Sequence, residues 1–195
     1  MVTVTFGAEG SSTSVMLPAV MPAASTIAEL ARAAQRGDRA AYGELYARMQ
    51  GAAHAVVLAR VPPSDVPDVL QETFVTAWIK LPELREPAAF PGWVLEIARR
   101  SAKAERRKKQ KSSVESEDRA AELSVAPVPA AEANEALLKI LALPEAYRET
   151  LLMRLVHGMS GPEIALATGL SPDSVRVNLC RGMKLLRGDL EGSEG

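Results

Sequence analysis

Reactive side chains are sparse in this chain, so its chemistry is that of recognition. It holds one cysteine, Cys180, and two histidines, His54 and His157, which lie far apart in sequence with no cysteine pair near them. A single cysteine forms no internal disulfide, which fits a reducing, cytoplasmic setting. No nucleophile–base pair and no metal-ligand spacing stands out, so the expectation is no enzyme, no cofactor and no metal. Groups that read nucleic acid are concentrated instead. Arg176, Val177, Asn178, Arg181 and Lys184 share one face of a C-terminal segment whose Val175 and Leu179 take the apolar positions. Arginine and asparagine can pair with base edges, whereas Arg181, Lys184 and Arg187 suit phosphates. Arg99, Arg100, Lys103, Arg106 and Arg107, followed by further lysines, form a basic tract against a single Glu105. Cations at a helix end gain from the macrodipole, but so many repel one another; phosphate binding with counterion release accounts better for their density. Phe90 and Trp93 just upstream offer aromatic faces on which unpaired bases stack. A third cluster is acidic: Asp68 and Glu72 lie four apart, with Asp65 and Gln71 beside them.

These groups need elements to hold them, and the sequence predicts helices. The chain has 195 residues, is 47% hydrophobic but only 4% aromatic, and carries a formal net charge of −1. Ala, Leu and Val dominate the apolar part, a composition suited to helices packed on helices. No apolar run is long enough to span a bilayer, and Met1–Ala24 reads as a mobile extension without a signal-peptide pattern. From Ser25, Ile27, Leu30, Ala31 and Ala34 keep helical spacing until Gly37-Asp38, where Asp38 is placed to cap the next helix. That helix carries Leu45, Met49, Ala53 and Val56 on one face and ends at Pro62-Pro63. Ser64 is expected to cap a helix with Val66, Leu70, Phe74, Ala77, Trp78 and Leu81 on its apolar side. Another starts near Phe90 and runs into the basic tract. Residues 112–133, rich in Ala, Ser, Glu and Pro, read as a flexible linker spanning roughly 25 Å on average, so the domains at 25–111 and 134–192 need not touch. Leu137, Ile140, Leu143, Leu151, Leu152 and Leu155 supply a second core.

The segment from Ser160 to Arg187 has the marks of a helix-turn-helix. Ser160 caps a short helix with Pro162 in its first turn, Gly169 supplies the positive φ of the sharp turn, and Ser171-Pro172 opens the second helix. Such a helix fits the major groove, with its N-terminal residues nearest the bases.

Taken together, these segments resemble bacterial RNA polymerase sigma factors of the extracytoplasmic-function (ECF, sigma-70-like) group. Asp65-Val-Pro-Asp-Val-Leu-Gln-Glu-Thr-Phe-Val-Thr-Ala-Trp78 resembles the region 2 helix that docks on core polymerase. Phe90-Pro-Gly-Trp93 with Ile97-Ala-Arg-Arg100 resembles the segment that opens the −10 element, and Leu143-Pro-Glu-Ala-Tyr-Arg148 with the helix-turn-helix resembles region 4, which reads the −35 element. The resemblance implies an all-α fold: a region 2 helical bundle and a region 4 helix-turn-helix domain. It implies docking on the beta and beta-prime subunits through Asp65, Asp68, Gln71 and Glu72. It implies −10 contacts by Phe90, Trp93, Arg99, Arg100, Lys103, Arg106 and Arg107. The implied −35 contacts are Ser171, Ser174, Arg176, Val177, Asn178, Arg181 and Lys184, and an anti-sigma factor is an implied further partner. The chain departs from frequent family choices at Arg100, at Val177-Asn178 and at Gly182-Met183; Gly182 costs a helix about 1 kcal/mol relative to Ala. Two other readings stand beside this one: a stand-alone helix-turn-helix regulator, and a sigma-like decoy without promoter activity.

Overall fold

Local capping chemistry sets where the helices begin. In the computed structural model, which describes residues 25–114 and 131–191, Thr26 and Glu29 form a reciprocal capping box. The Glu29 amide donates to Thr26 Oγ1 at 3.2 Å and the Thr26 amide to the Glu29 carboxylate at 2.8 Å, opening α1 (Ile27–Gln35). Gly37, at φ 93°, turns the chain. Asp38 then accepts from the amides of Ala40 and Ala41 at 2.9 and 3.1 Å, starting α2 (Arg39–Leu58). The Ser64 expectation fails. Proline geometry carries Pro63–Asp65 into a 3₁₀ turn, and Ser64 donates its hydroxyl to Asp65 instead of capping α3 (Val66–Lys80). The next helix, α4, runs Phe90–Val114.

These four helices form the first bundle, with α2 packed against the other three. Leu45, Val56, Phe74, Phe90, Val94 and Leu95 are buried among them. The buried stripe of α3 is rotated slightly from the predicted one: Val69 and Thr73 are buried, while Leu70 and Trp78 sit at the margin. Thr73 satisfies its hydroxyl by donating to the Val69 carbonyl at 2.8 Å, so a polar residue fits the core. Tyr42 donates to the Phe74 carbonyl at 2.5 Å and meets Trp78 edge-on at 4.8 Å between centroids. Gln35 ties α1 to the Leu81–Glu83 turn by donating to the carbonyls of Leu81 and Leu84.

The second bundle comprises α5 (Ala131–Ala142), α6 (Glu145–Leu155), α7 (Gly161–Thr168) and α8 (Pro172–Glu191). Its core is built from Leu151, Leu152, Met153, Ile164 and Val175; Leu138, Leu155 and Val156 face solvent instead. Helices α4 and α5 reach into both ends of the span read as a linker. The rest of that span, 115–130, lies outside the described residues, as does the N-terminal extension.

The two bundles touch, a contact that the linker permits without requiring. α2 meets α6 and α7, and α4 meets α7. This explains why Ala52, Ala53 and Ala55–Ala59 are buried on every side of α2: a helix apolar all round must be covered all round. Arg148 closes the join. Its guanidinium donates to the Leu143 carbonyl of its own bundle at 2.8 Å and to the Ala59 carbonyl, at the C-terminus of α2, at 2.6 Å.

Candidate functional site

The helix-turn-helix is α7–turn–α8. Ser160 and Glu163 complete a capping box on α7. Gly169 takes φ 74° and its amide donates to the Ala165 carbonyl at 2.9 Å, which stops α7 and reverses the chain. Ser171 accepts from the Ser174 amide at 3.1 Å, and the two hydroxyls lie 2.8 Å apart. Val175 is buried, which fixes the rotation of α8. Ser171, Ser174, Arg176, Val177, Arg181 and Lys184 are thereby exposed, whereas Asn178 is half-buried. Arg176 pairs with Asp173 at 3.1 Å across one turn. Leu170, next to the turn, is exposed. Gly182 faces α6, and a Cβ there would stand 2.8 Å from Leu151 Cδ1 and 3.1 Å from Tyr147 Cβ. The glycine is therefore a packing requirement of the crossing and more than a cost to the helix.

On α3, Asp68, Gln71 and Glu72 are exposed together, but Asp65 is not with them. Its carboxylate pairs with Lys109 at 2.6 Å, a bond from the start of α3 to the basic end of α4. The same exposed side of α3 carries Val75, 51% exposed, and Ile79, 68% exposed. Sequence reading missed both, although their spacing of four and eight residues from Gln71 is visible there. The strip continues into a groove of about 590 Å³ whose lining includes Tyr42, Tyr46, Pro67, Leu70, Gln71 and Val75. Acid and amide groups thus lie beside exposed apolar area, the composition common in protein interfaces.

On α4, Arg100, Lys103, Arg106 and Arg107 are exposed at helical spacing and form one cationic face. Arg100 also pairs with Glu96 at 3.0 Å. Trp93 is half-buried at the head of this helix, tilted on Phe90 with centroids 5.9 Å apart. Phe90 needs correction as a base-contacting residue. It is 0% exposed and fills the core, where it supports Trp93 from beneath. Arg99 also stands apart: Nη2 and Nε donate to the Glu149 carboxylate at 3.1 and 3.3 Å, reaching α6 of the other bundle. Burial works against its charge, but the contacts with Glu149 and Glu96 outweigh it and hold Arg99 more firmly protonated than usual. Glu149 Oε1, which accepts from Arg99 Nε, also pairs with Arg60.

The fold also joins the two histidines that sequence leaves far apart. His54 Nδ1 and His157 Nε2 lie 3.0 Å apart across the bundle boundary. Burial lowers both from the ordinary histidine value, and His54 lowers His157 further. Among the described residues no group of three or more His, Cys, Asp or Glu surrounds them to hold a metal.

A helix-turn-helix with exposed cations on one bundle, and a cationic, aromatic-headed helix beside an acidic–apolar strip on the other, are features of a nucleic-acid-binding protein. Comparison with known proteins specifies the kind. Sigma-70 region 2 matches residues 45–112, and Sigma-70, region 4 matches residues 134–186. The chain is 35% identical over 178 residues to the RNA polymerase sigma factor NccH of Alcaligenes xylosoxydans xylosoxydans, covering 85% of this chain and 95% of that one. It is 30% identical over 167 residues to the ECF RNA polymerase sigma-E factor of Escherichia coli K12, covering 78% and 87%. It spans 42% of the length of the Xanthomonas campestris relative RfaY, at 34% identity. The solved structure of CnrH in complex with the cytosolic domain of CnrY aligns with TM-score 0.57 at 28% identity, covering 85% of this chain and 97% of that chain. The sigma factor RpoE of Bartonella quintana, solved with the anti-sigma factor NepR, shares the fold at TM-score 0.58 and 19% identity, covering 77% and 96%. This chain belongs to the ECF family of RNA polymerase sigma factors. As such it is a promoter-directing transcription initiation factor, and neither the stand-alone regulator nor the decoy reading is favoured.

Proposed function

We propose that this sigma factor divides its work among three surfaces. The α3 strip of Asp68, Gln71, Glu72, Val75 and Ile79 docks on the beta and beta-prime subunits of core RNA polymerase. Trp93 with Arg100, Lys103, Arg106 and Arg107 holds the opened −10 strand, joined by Arg99 when its partner releases it. Ser171, Ser174, Arg176, Val177, Asn178, Arg181 and Lys184 meet the −35 duplex. Asp65 acts indirectly, by bonding Lys109. The chain performs no reaction of its own, since polymerase makes the RNA, and it works in the cytoplasm where polymerase is. The observation that carries this reading is the joint exposure of an acidic–apolar strip on α3 and a cationic face on α4 within one helical bundle. An anti-sigma factor is a further partner, supported by two solved structures of this fold that hold a bound protein, CnrH with the cytosolic domain of CnrY and the sigma factor RpoE with the anti-sigma factor NepR.

The test is promoter-dependent transcription with purified core polymerase, comparing wild type with Asp68→Arg/Glu72→Arg. The double variant is expected to lose core association while keeping its helical circular dichroism. Association unchanged by charge reversal removes α3 from the docking role. Association of the wild type without initiation at any promoter favours the decoy reading.

A further inference from the structure

We propose that the Arg60–Glu149–Arg99 clasp and the His54–His157 contact form an internal latch. Closed, it withholds Arg99 from nucleic acid; when the bundles separate, Arg99 joins the cationic face of α4. The inference rests on the reading of that face as the −10 surface.

Three features support the latch. Glu149 is only 9% exposed and lies between two guanidinium groups from the first bundle, Arg60 and Arg99. Arg99 offers it two N–H groups in a fork, the arrangement in which arginine also grips phosphate, so carboxylate and phosphate compete for one geometry. Second, Arg99 is singled out. Arg100, Lys103, Arg106 and Arg107 of the same helix are exposed, so closure removes one cation from the row while leaving the rest in water. Third, the boundary is built to part. Besides the apolar cover that α6 and α7 give the second half of α2, its edges are fastened by polar bonds: the clasp, the Arg148–Ala59 bond and the histidine pair. Between them runs an open cleft of about 460 Å³ whose lining includes Met49, His54, Leu70, His157, Met159 and Leu166. A buried ion pair adds little net stability over its alternatives, so exchanging carboxylate for phosphate is energetically accessible. Boundaries of this kind within one chain resemble transient interfaces.

The full chain tests this with two variants. Glu149→Gln removes the charge and keeps the shape. Gly51→Leu touches none of the charged groups; a Cβ at this position already meets His157 Nδ1 at 3.2 Å, and a longer side chain wedges the boundary apart. Small-angle scattering is expected to show a larger radius of gyration for both, with helical content unchanged. Binding to a short fluorescent oligothymidylate is expected to tighten about tenfold, the size of one charge-assisted contact. Its log–log salt dependence should steepen by about 0.7, one phosphate on a single strand. Unchanged dimensions in both variants overturn the latch. Expansion without tighter binding overturns the withholding of Arg99. Adding Arg99→Ala and, separately, Arg106→Ala to the expanded variant locates the failure. If only Arg106→Ala weakens binding, Arg99 has been misassigned; if neither does, the −10 reading of α4 is what has failed.

Discussion

Replacing Gly182 by alanine sets two known effects against each other. Alanine favours a helix interior over glycine by about 1 kcal/mol, so on propensity alone the variant is more stable. Packing opposes this. The new methyl would stand 2.8 Å from Leu151 Cδ1 and 3.1 Å from Tyr147 Cβ. Leu151 is fully buried and has nowhere to swing, and a Cβ moves only with its backbone. Overfilling a tight contact costs about 1–3 kcal/mol. Taking the middle of that range, the net result is a loss of about 1 kcal/mol. With a urea slope of about 1–2 kcal/mol per molar, the unfolding midpoint falls by roughly 0.5–1 M. Gly43→Ala is the control: this glycine lies exposed within α2, and a Cβ there meets nothing within 4 Å. Its midpoint is expected to rise. Circular dichroism melts in urea read both. A rise for Gly182→Ala matching that of Gly43→Ala refutes the claim that the α6–α8 crossing demands a glycine. The functional counterpart is weaker −35 duplex binding, because the displaced α8 carries the residues proposed to meet that duplex.

Three further outcomes follow from the same structure. Acidification should loosen the join between bundles. Burial lowers His54 and His157 from 6.5, so the separated state binds more protons; closure is therefore most stable above that value and weakens as pH falls below it. Arg48 of α2 and Glu163 of α7 are the other charged residues lining their cleft, and Ile27, Leu70 and Pro91 from α1, α3 and α4 carry no charge there. Scattering dimensions that do not grow on acidification, or that grow equally in His54→Gln/His157→Gln, contradict this. Tyr42→Phe should cost about 1 kcal/mol by removing the hydroxyl's bond to the Phe74 carbonyl, read as a urea midpoint; burial pushes the Tyr42 hydroxyl up to about 12, so it keeps its proton at ordinary pH. Arg176→Ala should weaken −35 binding by about 1–3 kcal/mol and relax preference at one base position. Equal losses on every duplex make Arg176 a phosphate contact instead.

What could be read in the sequence was whatever depends on near neighbours. Asp38, Ser160 and Ser171 cap as expected because each bonds amides within three residues. Gly169 was legible because its positive φ follows from the turn. The helix-turn-helix and the exposed triad of Asp68, Gln71 and Glu72 follow from helical spacing. Contacts between distant residues were not legible. His54 and His157 are 103 positions apart, and Arg99 and Glu149 are 50 apart. A charged residue in isolation reads as solvated, so Arg99 was assigned with its neighbours and Glu149 was not assigned at all. Phe90 misled for a related reason: an aromatic beside a basic tract reads as a stacking face, whereas the start of α4 turns it inward. Ser64 misled because Pro62-Pro63 promised a stop and the chain continued in a tighter helix.

The second half of α2 buries Ala52, Ala53 and Ala55–Ala59 on every side, part of that cover coming from the other bundle. Parting the bundles wets the portion that α6 and α7 had sheltered. An open chain awaiting polymerase therefore presents greasy surface to the crowded cell, where chaperones, proteases and other copies of itself compete for it. Activity and shelf life pull in opposite directions. A variant selected for stronger transcription by opening this join should be harder to concentrate and shorter-lived unless polymerase is present to cover what it exposes.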